Sequence, residues 1–318
     1  MIVVTNRNIL PDHLEDAVFC ERCFGDGFNE KGPDELRLAR AEREENRWRL
    51  SLQEDQTAGV FASESEFLAL RERMTNQKRD CVFFIHGFNT SLEDALNHAE
   101  QLESNFGVET ILFSWPANRV GFQRGISYRS DKRDAKNSVN ALDRIFEKLD
   151  RYLKQHTGAE HPCGQTMTLL AHSMGCYLLK SLMNSSVYQN ETLLFDNIVL
   201  AAADVNNDDH AAWVDRIAHR HRLSITINER DASLLLARAK WGEHQLARLG
   251  HWPHNLNAKN AIYFNFTGAD KVGSSHVYFE GKPLENPVVK QVFTDLFSCR
   301  AAEQGLEFNT ATGAFQVE

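Results

Sequence analysis

A chain of 318 residues is long enough for one large or two ordinary domains, and either can bury a sizeable core. With 42% hydrophobic and 25% charged residues it has the balance of a soluble globular protein, and no run approaches the roughly 18 consecutive apolar residues of a membrane helix. A net charge of -9 argues against a nucleic-acid surface, and Met1 to Arg7 lacks the basic-then-apolar build of a signal peptide, so a cytoplasmic location is expected.

Ile2 to Thr5 reads as a short strand, and Leu36 to Arg40 and Arg47 to Leu52 alternate apolar and polar as half-exposed strands do. The first 79 residues are expected to form antiparallel edge strands and one helix, Ser63 to Met74. Between them, Phe24 to Pro33 is rich in turn formers and reads as a surface loop. Six cysteines in a cytosolic chain are expected to be reduced. Cys20-Glu21-Arg22-Cys23 has the spacing of half a zinc site or a redox pair, but no second C-x-x-C exists, and a loop with two thiols is the simpler reading. His219-Arg220-His221 and His251-Trp252-Pro253-His254 likewise lack a matching set of thiols or carboxylates; no metal is implied.

From Asp80 the pattern changes to continuous apolar runs, which is how parallel strands buried on both faces read. They are Val82 to Ile85, Thr110 to Phe113, Met167 to Ala171, Ile198 to Ala203, Leu223 to Ile227 and Ile262 to Phe266. Helices are expected between them at Leu92 to Leu102, Ala135 to Leu153 and Cys176 to Met183. Alternating strand and helix predicts an α/β fold, a mostly parallel central sheet with helices on both faces and antiparallel N-terminal edge strands. Such sheets place ligands at the carboxyl ends of their strands. After the catalytic core, 80–299, a closing helix is expected within Val288 to Cys299, and the tail, 300–318, adds one edge strand. No linker or internal repeat divides 1–318, so one elaborated domain is expected, its oligomeric state open.

Three stretches carry chemistry. His86-Gly87-Phe88-Asn89-Thr90 ends the first buried run, where backbone N–H groups can hold an oxyanion, each worth about 3 kcal/mol; the donors would be Phe88 and Met174. Thr90 or Ser91 can cap the next helix, with Glu93 and Asp94 placed for a capping box. Thr168 to Cys176 contains Ala-His-Ser-Met-Gly between a strand and a helix, the build of a nucleophile elbow, with Ala171 and Gly175 as the small flanking residues. Asn228-Glu229-Arg230-Asp231 directly follows another run.

The order H-G-F-N-T, then F-S-W-P at Phe113 to Pro116, then A-H-S-M-G resembles the α/β-hydrolase superfamily, and within it a family of predicted bacterial hydrolases of no known function. The resemblance spans roughly Val82 to Phe279, with Val4 to Arg7. It extends to Tyr128 and Asp131 after W-P, to Asn228 and Asp231 as N-x-x-D, and to the histidine of Ser275-His276-Val277-Tyr278. In this fold a triad follows in the order Ser, Asp, His. Ser173 is then the nucleophile and His276, in a Gly-rich loop after the last run, the base. Asp231 is the acid, with Asp204 as the second candidate; if Asp204 is not the acid, it accepts backbone N–H bonds as a turn or helix cap.

The resulting expectation is a serine hydrolase acting on a small-molecule acyl substrate, an ester or related bond, without cofactor or metal. A non-catalytic binding module of the same fold is the competing reading. His86, Trp115, Tyr128 and Trp241 are the candidate pocket residues. The stretch 234–260, with Trp241 and Trp252, is either a lid or pocket wall or a crossover segment packed on the sheet.

Overall fold

Burial on both faces decides where the strands lie. The computed structural model describes residues 1–13, 18–55, 61–117, 124–157, 164–238 and 247–318, and of 124–127 and 157 only the backbone. They form two compact units, Met1–Gln165 and Thr166–Glu318.

The first unit contains β1 (Ile2–Thr5), β2 (Arg7–Ile9), β3 (Phe19–Cys20), β4 (Phe24–Phe28), β5 (Arg37–Glu44) and β6 (Arg47–Leu52). After helix α1 (Ala62–Gln77) come β7 (Cys81–Ile85), α2 (Leu92–Phe106), β8 (Glu109–Ser114), α3 (Arg124–Asn137) and α4 (Val139–Thr157). Its sheet runs β7-β8-β1-β5-β6-β3. β7 and β8, buried at every residue, pair in parallel, and β1 joins them in parallel, Ile2 opposite Ile111. Only from β5 outward is the sheet antiparallel, so Ile2–Thr5 belongs to the parallel part and is not the edge strand expected. Its unbroken Ile-Val-Val is the reason, since such a run suits burial on both faces.

Two further expectations are corrected here. Phe24–Phe28 is a strand paired with β2, not a surface loop. Its glycines serve close approach: a Cβ on Gly25 would stand 2.7 Å from the Asn8 Oδ1, which accepts the Gly27 N–H at 2.9 Å. The helix expected over Ala135 to Leu153 is two helices separated at Ser138, whose hydroxyl donates to Asp134 O at 2.9 Å and accepts from Asn6 Nδ2 at 3.1 Å. At the start of α2 the capping box forms as expected, between Ser91 and Asp94.

The second unit contains β9 (Met167–His172), α5 (Met174–Met183), β10 (Asn197–Ala201), α6 (Ala211–Val214), β11 (Arg222–Ile227), α7 (Ala232–Arg238), β12 (Ala261–Asn265), α8 (Pro287–Phe297), β13 (Glu307–Asn309) and β14 (Ala314–Gln316). Its sheet order is β9-β10-β11-β12-β14-β13, parallel through β14. The tail thus supplies two strands where one was expected, turning back so that β13 runs antiparallel on the outside. A core of Leu, Ile, Val and Phe from β9 to β12 and α8 has no exposure, and α8 is started by Asn286, whose side chain accepts from Val288 N and Val289 N. Residues 247–252 run across the carboxyl ends of β10 and β11: Leu249 N donates to Val205 O, Gly250 N to Ala203 O, and Asn228 N to Gly250 O at 2.9 Å. Trp241 and residues 239–246 lie outside the described residues, while Trp252 is half-buried, 5.8 Å from the Arg238 guanidinium.

Candidate active site

β9 passes into α5 through one residue. Ser173 has φ 54° and ψ -117°, a left-handed conformation that costs an L-residue of order 1–3 kcal/mol and persists only where its surroundings enforce it. Here they do: Ser173 N donates to Ala201 O at 2.9 Å, and Ser173 O accepts from Asp204 N at 3.1 Å, tying the turn to the end of β10. Ala171 and Gly175 are buried beside it. Met174 opens the helix, so its N–H is among those without an intrahelical carbonyl.

Asp231 and His276, separated by 45 residues, meet: His276 Nδ1 lies 2.7 Å from Asp231 Oδ2. Asp231 is fully buried, whereas the His276 side chain keeps 21% of its surface. The other carboxylate oxygen, Oδ1, accepts from Ser233 N at 2.9 Å and Leu234 N at 3.0 Å, so Asp231 also caps α7. A carboxylate oxygen accepts, so the hydrogen of this contact sits on His276 Nδ1.

Two residues not singled out individually in the sequence hold the loop that carries His276. Asn228 Nδ2 donates to Gly273 O at 3.0 Å and to Ser275 O at 3.2 Å, clamping both residues ahead of the histidine. His172, next to the nucleophile, places Nε2 3.2 Å from His276 O; a carbonyl only accepts, so Nε2 carries the hydrogen. Its ring also meets Phe279 edge to face at 5.5 Å. Asn228 stood in the N-x-x-D stretch without a role of its own, and His172 stood inside the elbow motif as the residue between its small position and the serine.

Asp204 has another partner. Its Oδ1 lies 3.0 Å from Arg248 Nε, in an ion pair whose side chains are 1% and 4% exposed. Beside the turn or helix cap expected of it, Asp204 thus faces the buried guanidinium of Arg248.

In the first unit, His86 and Trp115 are fully buried and satisfy each other. Their rings stack at 5.4 Å, Trp115 N donates to His86 Nε2 at 3.2 Å, and Trp115 Nε1 donates to His86 O at 3.1 Å. Burial, aided by the charge of Arg7, pushes the His86 pKa down to about 3 and keeps the ring neutral. Of the candidate pocket residues, these two thus stand in the core with no exposed surface. Tyr128 is also buried, its ring edge to face with Phe88 at 5.6 Å and under Lys132 Nζ at 5.1 Å. Phe88 itself is half-buried, followed by Asn89 at φ 52°.

Beneath the His86 to Thr90 stretch lies Arg7, 1% exposed. It donates to Thr90 O at 2.8 Å, to Ser114 Oγ at 3.0 Å and to Asp26 Oδ1 at 3.0 Å, joining the carboxyl end of β8 to the loop after β7. Burial lowers its pKa to about 10, which leaves it charged at neutral pH. The sequence signal was a basic residue two places beyond an apolar strand, where solvent exposure is the ordinary outcome. Among the described residues no cluster of three or more His, Cys, Asp and Glu could hold a metal, and no helix is long and apolar enough to cross a membrane.

A sequence profile described as an alpha/beta hydrolase of unknown function (DUF900) matches residues 62–295. Comparison with curated proteins and with solved structures gives no match.

Proposed function

Because the chain belongs to a family of α/β-hydrolases of unknown function, and has the fold of that family, we propose that it is a serine hydrolase cleaving an ester or related acyl bond of a small molecule. The observation that carries the reading is the 2.7 Å contact between His276 Nδ1 and buried Asp231 Oδ2, in the same unit as a serine at an enforced elbow. In the proposed cycle Ser173 Oγ attacks the acyl carbon while His276 Nε2 takes its proton, and Asp231 stabilises the imidazolium that forms. Negative charge then gathers on the carbonyl oxygen. Met174 N–H, in the same unit as Ser173, is the proposed donor to it. Collapse expels the alcohol, protonated by His276, and leaves an acyl-Ser173 ester; water, deprotonated by the same imidazole, releases the acid and restores the serine.

A fluorophosphonate probe tests this, because it phosphonylates only an activated serine. Labelling of the intact protein that disappears in Ser173→Ala, with turnover of short p-nitrophenyl esters lost in parallel, supports the proposal. No labelling and no turnover from the folded protein overturns it in favour of a binding module.

A further inference from the structure

We propose that Cys20 and Cys23 form a reversible oxidation site, a dithiol that closes to an intramolecular disulfide. The two sulfurs stand 3.0 Å apart, and the Cys20 N–H points at Cys23 Sγ, also at 3.0 Å. The residues between them make one 3-10 turn, Glu21–Cys23, so the side chains face each other across a fixed backbone loop. That loop is held from both ends. Cys20 pairs with Arg49 in the sheet, Cys23 O accepts from Leu10 N at 2.8 Å, and Glu21, itself buried, accepts from Trp48 N at 3.2 Å. A disulfide needs the sulfurs at about 2 Å, which small side-chain rotations supply without moving that framework.

Exposure divides the work between the two thiols. Cys20 is half-buried and Cys23 is 2% exposed, so a small oxidant meets Cys20 first. Hydrogen peroxide is one such oxidant. The Cys20 thiolate attacks its O–O bond, giving the sulfenic acid and hydroxide; the Cys23 thiolate then displaces hydroxide from that sulfur and the S–S bond forms. In sum two thiols and one peroxide give one disulfide and two waters. Oxidised glutathione does the same by exchange, releasing two reduced glutathiones. The remaining buried thiols are poorly suited to this chemistry: Cys81 and Cys176 are fully buried, and burial pushes both well above the ordinary thiol range. A zinc site is disfavoured because two sulfurs supply half of a structural site, and no third ligand joins them among the described residues.

Arg22 makes the test direct, since trypsin cuts between the two cysteines. The reduced full-length protein is exposed to hydrogen peroxide or to oxidised glutathione, blocked with N-ethylmaleimide, digested and analysed by mass spectrometry. The expected result is a pair of peptides, one ending at Arg22 and one beginning at Cys23, joined until dithiothreitol is added, with maleimide labelling of both cysteines down by about tenfold or more. In Cys23→Ser the joined pair is absent and Cys20 carries a trappable sulfenic acid or a glutathione mixed disulfide. Full maleimide labelling of both cysteines in the treated wild type overturns the proposal. So does a mixed disulfide on Cys20 that Cys23 leaves unresolved, or stoichiometric zinc that protects both thiols.

Discussion

The two carboxylate oxygens of Asp231 have separate tasks, Oδ1 capping α7 and Oδ2 holding His276. Asparagine keeps an oxygen for the cap but offers an amide to the imidazole, so Asp231→Asn is expected to cut kcat by about 10⁴ with little change in melting temperature. Asp204→Asn should do the reverse: Arg248 is left charged and buried, a loss of roughly 3 kcal/mol or more in stability, with a far smaller effect on kcat of the folded enzyme. Paired kinetics and thermal unfolding of the two variants decide this, and the opposite pattern would exchange the roles. Ser173→Ala and His276→Ala should each lower kcat by about 10⁴ to 10⁶, and the double variant should be barely worse, since triad members act as a unit. Additive losses would remove His276 from the proposed mechanism. Asp231 was legible as a candidate because it directly follows a buried strand. Its preference over Asp204 came from the resemblance, and spacing could not show the contact itself, because His276 is 45 residues away.

At the scale of elements, β7, β8, β9 and β10 could be read because each is buried at every residue and so unbroken in hydrophobicity. What escaped reading depends on single side chains or on close backbone approach. Ser138 divides a continuous helical pattern, and Asn8 turns a glycine-rich stretch into a strand. The run 247–252 depends on such an approach: a Cβ at Gly250 would fall 2.3 Å from Ala203 N, inside the backbone that leads from Ser173's partner strand. Gly250→Ala is therefore expected to destabilise the protein by several kcal/mol, or to spoil the Ser173 turn if the strand end yields, because neither contacting group is a flexible side chain. Denaturant unfolding and fluorophosphonate labelling together read both outcomes; an unchanged midpoint with unchanged labelling would show that the segment gives way freely. Asn286→Ala, removing the cap of α8, should cost about 1 kcal/mol by the same unfolding assay and leave labelling intact.

Across the whole molecule, buried neutral histidines set the response to acid. Burial lowers His86 to about 3 from the ordinary 6.5, and lowers His210 and His251 as well. In that window the unfolded chain binds protons that the folded one refuses, so stability rises with pH between about 3 and 6.5 and falls on acidification. For His86 alone the slope approaches about 1.4 kcal/mol per pH unit. Unfolding free energies measured from pH 7 down to pH 4 should show this decline, and His86→Gln, whatever its own stability, should show a shallower one. Equal slopes in the two proteins would mean that His86 gains its proton while folded.

The enforced backbone of Ser173 gives stability and reactivity opposite preferences at one position. Glycine tolerates φ 54° without the steric cost a serine bears there, so Ser173→Gly should fold to a protein more stable than the wild type by about 1 kcal/mol and wholly unreactive to the fluorophosphonate. Ser173→Ala, which keeps a Cβ in the same conformation, should lose the reactivity and gain no such stability. A chain under selection for durability alone would have little reason to keep a side chain at this residue.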